Sequence, residues 1–283
     1  MDALKEKIDT LRRERNAVIL AHYYTDSDVQ DIADFVGDSL ALSQRAATTD
    51  ADVILFAGVH FMGETAKILS PRKTVLMPDM AAGCSLADSC PADEFAAFIA
   101  ANPGRTVISY VNTTAEVKAL TDIVCTSSNA VEIVRSLPPD EPILFGPDRN
   151  LGNYIRNITG RENMLVWDGA CHVHEEFSLE KILELKQAYP HAKVLTHPEC
   201  KRPIVLISDY VGSTAGLLKY AVNDTSTDTY IVVTEPGVLH QMRLAAPGKT
   251  FIPAPPTDAA CGCNNCSFMK LVTLPKIAAA LET

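Results

Sequence analysis

Cysteine offers the most distinctive chemistry in this sequence, and three of its eight cysteines recur at a similar interval. Cys171 lies 87 residues after Cys84, and Cys266 lies 95 residues after Cys171. Proline-rich residues 253–256 and the residues after them account for the longer second interval. Thiolates that converge on one point are soft ligands, which favour an iron–sulfur cluster or zinc. The interval therefore predicts a metal centre.

The other cysteines divide into two groups. We expect Cys90, Cys125 and Cys200 to be small buried side chains, the commonest role of a cysteine outside a disulfide. Cys261 and Cys263 lie in segment 261–266, where clustered cysteines beside a glycine are typical of metal or redox sites. Spacing alone leaves open which cysteine of this segment is the third ligand.

Groups suited to proton transfer follow predicted strands. His197-Pro198-Glu199 places an imidazole and a carboxylate at the end of one strand, and His22 ends an equivalent strand. A buried carboxylate near histidines is a candidate general acid or base. His174 lies three residues after Cys171, where it contacts substrate or orders the loop.

Hydroxyl and amide groups supply candidate anion contacts. We expect helices to begin at three hydroxyl positions, where capping and anion binding at a helix N-terminus are both compatible roles. Since the net charge is −10, local groups must hold any anionic substrate. The candidates are Ser39, Ser127, the Ser213-Thr214 pair, Tyr110 and Asn112.

A three-fold repeat of strands and helices positions these groups. Residues 34–39 resemble residues 122–127 and 209–214. Buried strands are predicted in the same register at 18–22, 106–110 and 193–197, then at 53–56, 142–145 and 230–233. A further strand is predicted before each of the three cysteines, at 74–77, 164–167 and 250–252. Helical patterns alternate with them at 39–47, 94–101, 129–137, 179–189 and 215–222, which predicts βαβ units with parallel sheets.

We therefore predict an α/β fold of three domains related by a pseudo-three-fold axis. The expected boundaries are 1–83 with a C-terminal helix at 267–283, 84–170 and 171–266, with the site and cluster at the central interface. Ligands of parallel sheets bind at the carboxyl ends of strands, where the polar candidates lie.

Composition narrows the function classes. The chain is 47% hydrophobic and 21% charged, an ordinary globular composition. Its acidic balance disfavours nucleic acid and anionic membranes as partners. It has no apolar run of about 20 residues and no signal-peptide core, so we expect a cytoplasmic protein without a membrane span. It also lacks the two common glycine-rich motifs of nucleotide-binding proteins.

Seven segments together resemble the quinolinate synthase family along essentially the whole chain. They are AHYY at 21–24, GDS at 37–39, GCSLAD at 83–88, YVNT at 110–113, HPEC at 197–200, VGST at 211–214 and CSFMK at 266–270. The resemblance implies three αβα-sandwich domains and a [4Fe–4S] cluster on Cys84, Cys171 and Cys266, with one open iron. It also implies condensation of iminoaspartate with dihydroxyacetone phosphate to quinolinate, releasing phosphate and water, in de novo NAD biosynthesis.

The resemblance also implies roles for individual residues, according to their positions in the matching segments. The resemblance implies Glu199, Tyr24 and His197 as catalytic groups, and functional coupling to L-aspartate oxidase is a further expectation. The implied substrate contacts are His22, Ser39, Tyr110, Val111, Asn112, Ser127, His174, Pro198 and Thr214.

The sequence departs from the family pattern at two places, and two alternative functions also fit some of its residues. The last cysteines read C-x-C-x-x-C where some members have C-x-x-C-x-x-C, so we make no prediction about a regulatory disulfide. Residues 201–208 are unusually apolar and contain Pro203, and we make no structural prediction there.

The alternative functions are a zinc-dependent lyase or hydrolase using the three cysteines and His174, and a non-catalytic iron–sulfur sensor, which would not need the acid–base groups.

Overall fold

A computed structural model describes residues 2–258 and 264–283 of the chain. The chain divides into two compact units, Met1–Cys84 with Cys266–Thr283, and Ser85–Asn265. Among the helices of the described ranges, none combines the length and the apolar character that crossing a membrane requires.

Strands and helices alternate along the described residues. The strands are β1 (Ala17–His22), β2 (Phe35–Gly37), β3 (Val53–Ala57), β4 (Thr74–Leu76), β5 (Thr106–Tyr110), β6 (Ile123–Cys125), β7 (Ile143–Gly146), β8 (Met164–Val166), β9 (Lys193–Thr196), β10 (Tyr210–Val211), β11 (Thr229–Val233) and β12 (Thr250–Pro253). The α-helices are α1 (Asp2–Glu14), α2 (Ser27–Ile32), α3 (Ser39–Thr48), α4 (His60–Leu69), α5 (Ser85–Asp88), α6 (Ala92–Ala101), α7 (Ala115–Lys118), α8 (Ala130–Ser136), α9 (Arg149–Thr159), α10 (His172–Glu175), α11 (Leu179–Ala188), α12 (Arg202–Leu206), α13 (Thr214–Asn223), α14 (Val238–Ala245) and α15 (Leu274–Glu282), and Met269–Leu271 is a 3₁₀ helix.

The twelve strands of the described residues form three parallel four-stranded sheets with one topology. Their orders are β2-β1-β3-β4 in the first unit, and β6-β5-β7-β8 and β10-β9-β11-β12 in the second. Every residue of β1 and β3 is buried, as expected for strands covered on both faces. The flanking helices complete the predicted α/β architecture, which is confirmed.

One strand of each repeat went unrecognised in the sequence. β2, β6 and β10 are only 3, 3 and 2 residues long, and half or more of the positions in each are not buried. Such short edge strands lack the apolar run that marks the central strands. The predicted cysteine ligands therefore follow the fourth strand of each repeat along the chain, β4, β8 and β12, and not the third.

An aspartate repeats just before each of these short strands. The carboxylates of Asp34, Asp122 and Asp209 each accept a hydrogen bond, 2.8 Å long, from a backbone N–H near the start of the neighbouring central strand. Each aspartate also donates its own N–H to the same strand residue's carbonyl, over 2.9–3.0 Å. The repeated aspartate thus joins the edge strand to the sheet.

Replacing Asp122 by Ala should lower the free energy of unfolding by about 1–3 kcal/mol, because the N–H of buried Val107 would lose its acceptor. Asp122→Asn, which keeps an acceptor oxygen, should lose less. Urea unfolding measures the difference, with Asp140→Ala as the control at an exposed position. Equal stability of Asp122→Ala and Asp140→Ala would show that this hydrogen bond contributes nothing.

The C-terminal helix belongs to the first unit. Ile277 of α15 and Ile8 of α1 share a buried cluster with Ile19 and Leu55 of the first sheet. Arg15 also donates to the carbonyl oxygen of Leu281 over 3.1 Å. The chain's last helix therefore covers a face of the sheet formed by its first residues.

Helix starts near the hydroxyl candidates vary between repeats. Asp38, and not Ser39, caps α3 by accepting from the N–H of Ala41, whereas Ser213 caps α13 by accepting from that of Gly216. Ser127 lies in the turn before α8, which begins at Ala130, so it does not begin a helix as the sequence suggested. The unpredicted segment after Cys200 contains α12, with Pro203 in its first turn, where a missing N–H costs nothing.

Candidate active site

A buried cluster of two histidines and a glutamate lies in the second unit. His174, His197 and Glu199 are each only 2% exposed. Nδ1 of His174 lies 3.0 Å from Oε2 of Glu199, and Nδ1 of His197 lies 3.8 Å from Oε1. The two imidazole rings stack with centroids 4.8 Å apart. We call these three residues the His–Glu cluster.

Backbone geometry orients His197. Its Nδ1 accepts from the N–H of Glu199 over 3.4 Å, so its Nε2, 3.2 Å from Oγ of Ser127, is placed to carry the proton. His22 of the first unit repeats the arrangement, because its Nδ1 accepts from the N–H of Tyr24 over 3.2 Å. The equivalence predicted for these two histidines thus extends to the hydrogen bond that fixes each ring.

Glu199 is a buried carboxylate surrounded by donors. Burial raises its pKa, but the charge of His174 and hydrogen bonds from His174 and Tyr110 outweigh burial and hold the pKa of Glu199 below its ordinary value. The resting group is therefore ionised. In this state it acts as an acceptor, and it can donate a proton only after taking one up.

The remaining predicted contacts of the second unit lie near strand ends and helix starts. Tyr110 ends β5, with Val111 buried directly after it, while buried Thr214 begins α13. Oδ1 of Asn112 is buried and has no hydrogen-bond partner among the described residues. A buried amide oxygen in that state is suited to receive a ligand's donor.

The predicted residues divide between the units. Tyr110, Val111, Asn112, Ser127, His174, His197, Pro198, Glu199 and Thr214 lie in the second. The first unit holds His22 at the end of β1, Tyr24 just after it and Ser39 at the start of α3. The backbone carbonyl oxygen of Tyr24 accepts from Nζ of Lys270 over 2.8 Å, which ties this loop to the segment after Cys266.

Three residues that support the His–Glu cluster were missed in the sequence. Oγ1 of Thr234 lies 3.0 Å from Nε2 of His174, and Asn150 donates to the backbone carbonyl oxygen of Glu199 over 3.0 Å. Asp148 is fully buried, and burial followed by the charge of Glu199 raises its pKa well above the ordinary value. Asp148 and Thr234 closely follow β7 and β11, so including the third strands among the candidate ends would have found both.

The six described cysteines differ in exposure as the predicted ligand set requires. Cys84, Cys171 and Cys266 are half-buried, whereas Cys90, Cys125 and Cys200 are buried. Burial raises the thiol pKa of Cys90 to about 12 and also raises the thiol pKa values of Cys125 and Cys200, so these three remain protonated. Cys261 and Cys263 lie outside the described residues.

The surroundings of the half-buried cysteines also fit a metal centre. In the first unit, a Cβ built on Gly83 would lie 3.5 Å from the ring of Phe268, so the segments carrying Cys84 and Cys266 pack together. In the second unit, Oγ of Ser85 lies 2.7 Å from Nδ1 of His172, so the residues that directly follow Cys84 and Cys171 contact each other.

Cys171 lies beside the His–Glu cluster. One ligand atom each from Cys171, His174 and Glu199 lie within 4.8 Å of one another. The N–H of Cys171 donates to the Asp148 carboxyl group, and the Asp148 side chain also caps α9. The thiol predicted to bind metal is thus held next to the residues predicted to move protons.

Replacing Gly169 by Ala should disturb the loop that carries Cys171. A Cβ at Gly169 would lie 2.5 Å from the carbonyl oxygen of Pro147, and that backbone cannot simply move because Gly169 donates to this oxygen and accepts from the N–H of Arg149. We expect a loss of about 1–3 kcal/mol in unfolding free energy, as for other overpacked sites. Thermal unfolding checks this, and Gly248→Ala is the control because its Cβ would meet no atom within 4 Å. Matching unfolding curves for the two variants would contradict the prediction.

Comparison with known proteins agrees with this arrangement. The sequence model described as quinolinate synthetase A protein matches residues 6–283. A protein of Thermosynechococcus vestitus named quinolinate synthase is 62% identical over 270 residues, covering 95% of this chain and 84% of that protein. Another so named, from a Synechococcus strain, is 59% identical over 274 residues, covering 97% and 85%. The chain belongs to the quinolinate synthetase A family.

Proposed function

We propose that this chain condenses iminoaspartate with dihydroxyacetone phosphate to form quinolinate, releasing phosphate and water. Its family membership and the shared name of its close relatives support this reaction. The observation that carries the assignment to this site is the buried Glu199 carboxylate between His174 and His197, within reach of Cys171. Building a pyridine ring from two such substrates requires proton removal and loss of hydroxyl groups, which these residues can assist.

Cys84, Cys171 and Cys266 are the residues we propose to hold a [4Fe–4S] cluster. Their partial exposure fits thiolate ligation, while the raised pKa values of the buried cysteines do not. Held by these three cysteines, the cluster would have one iron without a thiolate from the chain and would supply a Lewis acid for a substrate hydroxyl or carboxylate oxygen.

The residues around Glu199 have separate roles in this proposal. The Glu199 carboxylate accepts a proton from a substrate carbon, and His174, 3.0 Å away, shares that proton and returns it to a departing hydroxyl group. His197 is held by Ser127 and by the backbone of Glu199, so it keeps a fixed orientation toward the carboxylate. We assign Tyr24 to proton transfer as well, from its matching position in the family.

Polar groups of the second unit bind the substrate in this proposal. The buried Oδ1 of Asn112 accepts a donor from the substrate. Ser127 and Thr214 contribute hydroxyl groups for carboxylate or phosphate oxygens, and Tyr110, whose hydroxyl group donates to Glu199, contributes its phenolic oxygen as an acceptor. By family position we add His22, Ser39, Val111 and Pro198. Since iminoaspartate is an imine that water hydrolyses, we also propose functional coupling to the L-aspartate oxidase that forms it.

An anaerobic assay tests the function. The full chain, reconstituted with iron and sulfide, is mixed with dihydroxyacetone phosphate and with iminoaspartate formed from oxaloacetate and ammonia. We expect quinolinate and phosphate in equal amounts, and neither product when one substrate is omitted. A fully reconstituted protein that forms no quinolinate would overturn the proposed function.

A further inference from the structure

Cys171, His174 and Glu199 form a compact set of metal-binding groups whose ligand atoms lie within 4.8 Å of one another. The set combines one thiol, one imidazole and one carboxylate, the three side-chain types that bind Zn²⁺ in proteins. His174 and Glu199 are buried, and Cys171 is half-buried. This composition differs from a site made of three cysteines, because only one of the predicted cluster ligands takes part.

The spacing is close to what one cation requires. Zn²⁺ bonds of about 2.0–2.3 Å in tetrahedral geometry place ligand atoms roughly 3.3–3.7 Å apart. Nδ1 of His174 and Oε2 of Glu199 are already 3.0 Å apart, so the main adjustment is an approach of the Cys171 thiol by roughly 1 Å. Cys171 precedes α10 and His174 lies within it, three residues later, so the two side chains share a face.

Each ligand also has a supporting hydrogen bond from another element. Nε2 of His174 contacts Oγ1 of Thr234, which leaves Nδ1 toward the Glu199 carboxylate. Asn150 holds the backbone carbonyl oxygen of Glu199, and Asp148 accepts from the N–H of Cys171. Such outer contacts orient metal ligands, and the contact to the second imidazole nitrogen is characteristic of metal-bound histidine.

We propose that, when the chain lacks an iron–sulfur cluster, Cys171, His174 and Glu199 bind one Zn²⁺ ion or a similar borderline-soft divalent cation. Three protein ligands leave a fourth position for water. Because Cys171 serves both sites, the cation and the cluster exclude each other. This inference concerns the cluster-free chain, so it can fail while the quinolinate activity of the reconstituted enzyme stands.

Cobalt(II) is the probe, because its bond to a thiolate gives a near-ultraviolet charge-transfer band that Zn²⁺ lacks. The full chain carries Cys261→Ser and Cys263→Ser, is freed of metal, and is titrated with Co²⁺ under anaerobic conditions. We expect saturation at one ion per chain with one thiolate ligand, and displacement by Zn²⁺. Cys84→Ala and Cys266→Ala should keep the band, while Cys171→Ala should lose it.

Replacing the other two ligands, or Thr234, which contacts His174, should weaken Co²⁺ binding to different extents. His174→Ala and Glu199→Gln should weaken Co²⁺ binding at least as much as Thr234→Val, for which we expect about a ten-fold loss or more. Circular dichroism of each metal-free variant confirms its fold. A chain preloaded with Zn²⁺ should take up less iron and sulfide than the metal-free chain.

Three results would overturn the proposal. The first is a band that disappears in Cys84→Ala or Cys266→Ala as fully as in Cys171→Ala, which would indicate a three-thiolate site. The second is a band that survives Cys171→Ala. The third is the absence of Co²⁺ binding in the folded, metal-free chain.

Discussion

Replacing Glu199 by Gln should lower the rate of quinolinate formation by about 10²–10⁴-fold, the usual contribution of a positioned general acid or base. Gln keeps the size of the side chain and a hydrogen-bonding oxygen for Tyr110 and His174, but it cannot take up a proton as the carboxylate does. The effect should appear in kcat, with the iron and sulfide content unchanged. Steady-state kinetics on anaerobically reconstituted protein measure it.

Glu180→Gln is the matched control, since it makes the same chemical change at an exposed position of α11 in the same unit. This variant should keep the wild-type rate. If Glu199→Gln also retained nearly full turnover with its cluster intact, Glu199 would have no part in proton transfer.

Single replacement of Cys84, Cys171 or Cys266 by Ala should abolish both the cluster and quinolinate formation. A [4Fe–4S] cluster with three protein ligands has no spare thiolate in this set to take the place of a lost one. Iron and acid-labile sulfide per chain, together with the brown absorbance, report the loss directly. This readout separates the ligand role from any effect on catalysis.

Cys90, Cys125 and Cys200 supply the control, because replacing these buried thiols by Ala should leave most of the iron bound. Cys261 and Cys263 should also be dispensable. A different ligand set would be required if Cys261→Ala lost the iron while Cys266→Ala retained it.

The fold was predictable wherever a strand is a continuous apolar run. β3, β7 and β11 stand out in this way, and their repetition at nearly constant spacing predicted three similar sheets. The short strands β2 and β10 were not recognised, because partly exposed edges of two or three residues carry no clear pattern. The boundaries of the three predicted domains and their pseudo-three-fold relation remain predictions.

Site residues at strand ends were predictable from the sequence, whereas those elsewhere were predictable only in part. His197 and Glu199 directly follow β9, so the sequence alone predicted that they lie at the ligand-binding edge of the sheet. The approach of His174 to Glu199 depends on the packing of α10 in three dimensions, which the sequence does not display. Asp148 closely follows β7 and could have been found as a strand-end candidate. Asn150 resembles an ordinary polar residue at the start of a helix, and only its hydrogen bond to Glu199 reveals its importance.

Mössbauer spectroscopy of ⁵⁷Fe-reconstituted protein tests the central claim most directly. That claim is that a cluster with one iron open to substrate works beside the acid–base residues around Glu199. Adding pyridine-2,3-dicarboxylate to the anaerobic protein should perturb one iron of the four, because only that iron lacks a thiolate ligand from the chain. Glu199→Gln should show a similar change, since it keeps the cysteines. Four equivalent irons that do not respond to the dicarboxylate would contradict the account and leave the cluster a structural or redox role.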